Sequence, residues 1–102
     1  MQDFILAKRE EIAQLCRKHH VRRLSVFGSA ARDDFDPATR DVDIIVEFDD
    51  IPIEQYSDNK WALYDGLVAK FNRKVDLLTW KSVRNPVVLS EVESTAETLY
   101  AA

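Results

Sequence analysis

The chain has 102 residues, enough for one small domain and too few for a separate recognition module. Its net charge of −4 argues against bulk nucleic-acid binding, which needs a basic face. Cys16 is the single cysteine, so an internal disulfide and a thiolate metal cluster are both excluded. The apolar run from Phe4 to Ala7 is too short for a signal core or a membrane span. With a lone thiol, the cytoplasm is the expected compartment, and no membrane partner is expected.

In chain order, residues from about Asp3 to His20 read as a helix. Ile5, Ile12, Leu15 and Cys16 form its apolar stripe, and basic residues gather at its end, where the helix dipole favours cations. Val21 to Phe27 reads as a strand closed by Gly28, and Ser29 to Asp33 as a short helix. Phe35 to Arg40, which contains Asp36-Pro37, reads as a loop. Val42 to Phe48 is the second strand, with Val42, Ile44, Val46 and Phe48 on the face opposite Asp41 and Asp43. Asp49 to Ile53 is a turn region.

A helix is expected from near Asp58 to Phe71, with Trp61, Tyr64, Leu67, Val68 and Phe71 at helical spacing. Lys74 to Trp80 is the third strand. Asn85-Pro86 is an N-cap followed by proline at the first helical position. Leu89, Val92, Ala96 and Leu99 then line a final helix. The expected order is α-β-α-β-α-β-α, a small α/β domain.

The informative stretch is the one from Gly28 to Phe48. Asp41 and Asp43, two residues apart at the head of a strand, point to the same side of the sheet. At ~6.5 Å and an effective dielectric of ~20, their repulsion costs about 2.5 kcal/mol. A divalent cation held by both would offset that cost. Gly28 permits a close backbone approach, and Ser29 offers a hydroxyl and an N–H to a phosphate oxygen. Arg32 follows the turn and suits bidentate phosphate contact. Asp76, in the third strand, would complete a carboxylate triad if that strand neighbours the second. A third acid of this kind can take the proton of an attacking hydroxyl.

Each feature alone has an ordinary explanation. Asp-x-Asp occurs on solvated edge strands, Gly-Ser ends many strands as a plain turn, and Asp76 alone is a polar residue on a half-buried strand. Arg40 abuts the Asp pair, while Arg17, Lys18, Arg22 and Arg23 read as a solvated cluster at a helix end. His19 and His20 diverge on a helix and have no third histidine to complete a zinc set. Trp61, Tyr64, Phe71 and Trp80 read as core, with stacking on adenine as the alternative for one of them. The P-loop, the dinucleotide fingerprint and the kinase motifs are absent, as is the nucleophile elbow that would make Ser29 a hydrolase residue.

Gly28-Ser29, a spacer, Asp41-Val42-Asp43 and a later Asp76 in KVDLLTW together resemble the nucleotidyltransferase superfamily of the DNA polymerase β type. More narrowly, the chain resembles the minimal nucleotidyltransferases encoded beside HEPN-domain partners. The spacer is about one residue longer than is common in that group. Asp33 stands where a glycine often follows the arginine.

The resemblance implies a mixed three-stranded sheet flanked by about four helices, spanning residues 1–102 as one minimal nucleotidyltransferase domain. It implies that Asp41, Asp43 and Asp76 are the catalytic and metal-binding residues, holding two Mg2+ ions on ATP. Gly28, Ser29 and Arg32 are then the nucleotide-binding residues. The implied reaction transfers AMP to a tyrosine hydroxyl of a HEPN toxin, a ribonuclease, with this chain as the antitoxin. Two alternatives stand beside it. One is an antitoxin that neutralises by binding alone, and the other is a transferase acting on tRNA or a small hydroxylated molecule. The acidic balance disfavours direct contact with nucleic acid.

Overall fold

The computed structural model describes residues 1–32 and 41–102. The expected loop from Phe35 to Arg40, and Asp33 at the end of the expected short helix, lie outside the described residues. Eight regular elements are described: α1 Asp3–Leu6, α2 Arg9–Lys18, β1 Val21–Phe27, β2 Val42–Phe48, α3 Ile53–Phe71, β3 Val75–Thr79, α4 Pro86–Thr95 and β4 Glu97–Ala101.

The sheet has four strands in the order β3-β2-β1-β4, one more than expected. β1 is antiparallel to both β2 and β4, whereas β2 and β3 are parallel. The extra strand comes from the chain end. Leu89, Val92, Ala96 and Leu99 keep helical spacing, but the helix stops at Thr95 and Ala96 turns extended at ψ 131°. β1 is the reason. Its free edge carries backbone donors and acceptors that need partners. Pairs such as Leu24 with Tyr100 and Val26 with Glu97 supply them. Leu99, 2% exposed, then enters the core from a strand and not from a helix.

The helices cover both faces of the sheet. Val42, Ile44 and Val46 of β2 pack with Ile5, Ile12, Cys16, Leu63 and Leu67 in the main core. Ile45 points the other way and joins Phe27 and Val92 in a smaller cluster under α4. The face that carries Asp43 is therefore partly covered by α4. Burial pushes the Cys16 thiol up to about 12, so it packs as a neutral apolar group.

The first expected helix is broken in two. The Lys8 N–H bonds back three residues to the Ile5 carbonyl, and Lys8 then serves as the N-cap of α2. Its C-terminal stop is made by the two histidines. His20 has φ 60°, the left-handed conformation usual just past a helix end. The Asn59 side-chain amide donates to the His19 carbonyl at 2.7 Å.

α3 begins at Ile53, five residues before the expected Asp58, because its first turn carries no apolar stripe. Ile53 itself is exposed there, and Tyr56 packs edge-on against Phe48. Trp61, expected in the core, is 60% exposed and lies against Tyr64. Leu63, Leu67 and Phe71 form the buried line of α3. Gly66 lets α2 and α3 approach, since a Cβ there would come within 2.6 Å of Leu15 Cδ1. Asn85 caps α4 as the sequence suggests, its Oδ1 accepting the Val87 N–H at 2.8 Å.

Candidate active site

The site forms where β1 ends and β2 and β3 begin. Antiparallel β1 delivers Phe27 opposite Asp43, and parallel β3 sets Asp76 opposite Asp43 on the other side. Asp43 thus sits in the middle of the sheet with Asp76 as its direct register neighbour. That is the adjacency on which the third acid depended. Asp41 lies exposed just before β2 begins.

A cavity of about 460 Å3 opens between this end of the sheet and α4. Asp43, Asp76 and Glu91 supply its acidic wall, and Phe27, Leu78 and Val88 its apolar one. Asp41 is not among the lining residues, so the structure brings two of the three predicted acids together in the cavity. Among the described residues, no group of three acids, histidines or cysteines forms a closed metal cage. A second cleft of about 320 Å3, between Phe48, Tyr56 and Trp80, lies at the opposite end of β2 and β3 and holds none of the predicted site residues.

Gly28 is required where it stands. Its φ is 65°, in the left-handed region. A Cβ there would lie 3.0 Å from Asp43 Oδ2 and 3.0 Å from Glu91 Oε1. Two carboxylates therefore crowd the bare backbone of the turn. The Gly28 N–H donates to Thr95 Oγ1 at 2.8 Å, and the Thr95 hydroxyl donates to the Glu91 carbonyl at 2.6 Å. These bonds tie the end of α4 to the turn.

Ser29 and Ala30 continue as a single 3-10 turn, shorter than the expected helix, and both are buried. Ser29 is 7% exposed and does not line the cavity. Arg32 is half-exposed, and its Nη1 lies 3.8 Å from Glu91 Oε1. The side-chain amide of Gln2 donates to the Arg32 carbonyl and fixes the backbone there.

Glu91 and Arg84 also line the cavity, and no local motif marks either of them. Glu91 lies far along the chain from Asp43, and an acid on a predicted helix face looks like any solvated residue. Only the packing of α4 across the sheet reveals its place. The basic cluster is partly spent on local pairs. Arg17 bridges to Glu10, and Arg22 bridges to both Glu47 and Asp49. Arg40 lies outside the described residues.

Comparison with known proteins assigns this architecture. The nucleotidyltransferase domain family profile matches residues 9–98. A protein of Methanocaldococcus jannaschii, provisionally named a protein adenylyltransferase, is 37% identical over 91 residues, covering 81% of this chain and 89% of the relative. Among solved structures, a provisionally named minimal nucleotidyltransferase superposes with TM-score 0.72 at 26% identity, covering 89% of this chain and 88% of that one. A complex of tri-AMPylated Shewanella oneidensis HEPN toxin with MNT antitoxin matches with TM-score 0.65 at 21% identity, covering 96% of this chain and 73% of that one. That last likeness is one of fold. A glycine turn facing an acidic strand end is thus set in a scaffold whose relatives carry the same chemistry by name, and the chain belongs to the nucleotidyltransferase family.

Proposed function

We propose that this chain is an Mg2+-dependent protein adenylyltransferase. In this reading it transfers AMP from ATP to a tyrosine hydroxyl of a HEPN toxin and acts as the antitoxin, with residues 1–102 working as one minimal nucleotidyltransferase domain. The observation that carries the reading is the register of Asp43 against Asp76, both facing one cavity beside the Gly28 turn. The AMPylated HEPN toxin in the similar complex supports the choice of transferred group and acceptor protein.

The donor set fits the metal. Carboxylate oxygens are hard ligands, and Mg2+ is commonly held by one or two carboxylates with phosphate oxygens completing its shell. A closed protein cage is therefore not needed. Asp41 and Asp43 would hold the ions, with Asp76 assisting one of them. When bound, the metal neutralises charge on the triphosphate during in-line displacement.

The chain's own residues do the rest. Asp76, on the exposed edge strand, accepts the proton of the acceptor hydroxyl as its oxygen attacks the α-phosphorus. The P–O bond to the β-phosphate breaks, and pyrophosphate leaves with that electron pair. The Gly28-Ser29 turn lets the polyphosphate approach the backbone, and Arg32 pairs with a phosphate oxygen. Phe27, Leu78 and Val88 form the apolar side of the cavity, against which the nucleotide can pack. Among the described residues no helix is long and apolar enough to cross a membrane. The single, buried Cys16 suits the reducing cytoplasm, which is the compartment of this reading.

The test is transfer of label from α-labelled ATP to a HEPN toxin, the proposed partner. The Asp41→Asn, Asp43→Asn double variant is expected to lose transfer by at least 1,000-fold, in line with the loss of a principal charge-stabilising group. Its far-UV circular dichroism should match that of the parent, which separates loss of transfer from loss of fold. Transfer retained by the double variant would refute the assignment. Protection of cells by a transfer-dead variant would point to neutralisation by binding alone.

A further inference from the structure

We propose that Glu91 is a positioning residue for the nucleotide, holding Arg32 across the Gly28 turn until a triphosphate takes its place. This rests on the reading of the cavity as a nucleotide site. A single oxygen carries the inference. Glu91 Oε1 lies 3.8 Å from Arg32 Nη1, and the same atom lies 3.0 Å from the point where a Gly28 Cβ would be. An anionic oxygen thus sits directly over the glycine turn, paired with the arginine that follows the turn. A phosphate oxygen bound at that turn would need the same space and the same cation.

The anchoring of Glu91 supports this. Its carbonyl accepts the Thr95 hydroxyl, whose oxygen in turn accepts the Gly28 N–H. The backbone of Glu91 is therefore fixed relative to the turn, while its carboxyl group, paired with Arg32, is partly exposed. The side chains of Arg32 and Glu91 are 46% and 44% exposed, so both can rotate into solvent without unpacking the core. Asp43 Oδ2 flanks the same point from the other side. An incoming polyphosphate would compete with Glu91 for the Arg32 guanidinium. Glu91 accordingly opposes binding of the free nucleotide and keeps Arg32 oriented toward the turn in its absence.

The exchange is modest in size, because an exposed ion pair is weak. Glu91→Gln is expected to tighten binding of ATP about two- to fivefold, both in EDTA and in Mg2+, with kcat changed less than KM. In an Arg32→Ala background the tightening should shrink or vanish, because the residue acts through Arg32. Calorimetric titration of ATP into the wild type, both single variants and the double variant reads this directly. Melting curves of the same four proteins check that each is folded under the conditions of the titration.

Unchanged or weakened ATP binding by Glu91→Gln would overturn the inference. So would weakening confined to Mg2+, which would instead make Glu91 a cation ligand. Tightening that persists undiminished without Arg32 would overturn it as well. A wild-type chain that binds ATP in none of these conditions would overturn the nucleotide reading of the cavity itself, which separates the two failures.

Discussion

Two residues with positive φ carry opposite lessons. At Gly28 the left-handed backbone is combined with close approach of two carboxylate oxygens, so a side chain there meets both strain and crowding. Gly28→Ala is expected to lower stability by about 1–2 kcal/mol and to cut transfer by more than tenfold. Chemical denaturation and the labelled-ATP assay measure the two effects separately. At His20 the same conformation is adopted by a residue whose side chain is exposed. His20→Gly is expected to raise stability by about 0.5–1 kcal/mol with activity unchanged. A lower denaturation midpoint would show that the histidine side chain contributes more than the strain costs.

Elements differed in how legibly the sequence announced them. β1 and β2 were readable to the residue, because a glycine ends one and an acid pair opens the other. Period-two spacing put Asp43 on the face opposite Val42, Ile44 and Val46, as found, whereas Asp41 lies just before β2 and does not line the cavity. Asp76 needed one further fact, the adjacency of β2 and β3, which is a long-range choice of the fold. Glu91 needed the packing of α4 over the sheet and had no local signal at all.

β4 was misread for a related reason. Leu89, Val92, Ala96 and Leu99 satisfy a helical period equally well whether or not the helix continues past Thr95. The pairing demand of β1 decided the matter, and that demand is invisible locally. Leu99→Ala removes a fully packed side chain that joins this strand to the core. It is expected to cost about 2–5 kcal/mol, measured by denaturant unfolding. A cost below 1 kcal/mol would mean that β4 is dispensable.

At the scale of the whole molecule, the two faces of the sheet do different work. One is sealed by α1, α2 and α3 over the main core, where Val42, Ile44 and Val46 lie fully buried. The other is covered by α4 around a small cluster and left open at one end, where Asp43, Asp76 and Glu91 face the cavity. Alternation along β2 thus sends Val42, Ile44 and Val46 into the main core, and Asp43 and Ile45 to the face under α4.

The measurement that bears most directly on the central claim uses two forms of labelled ATP, with the proposed HEPN toxin as acceptor and Mg2+ present. Label at the α-phosphate should move onto a tyrosine of the partner, label at the γ-phosphate should leave as pyrophosphate, and both events should vanish in the Asp41→Asn, Asp43→Asn variant. Transfer of the γ-label, or transfer of α-label that survives loss of the acid pair, would contradict the account.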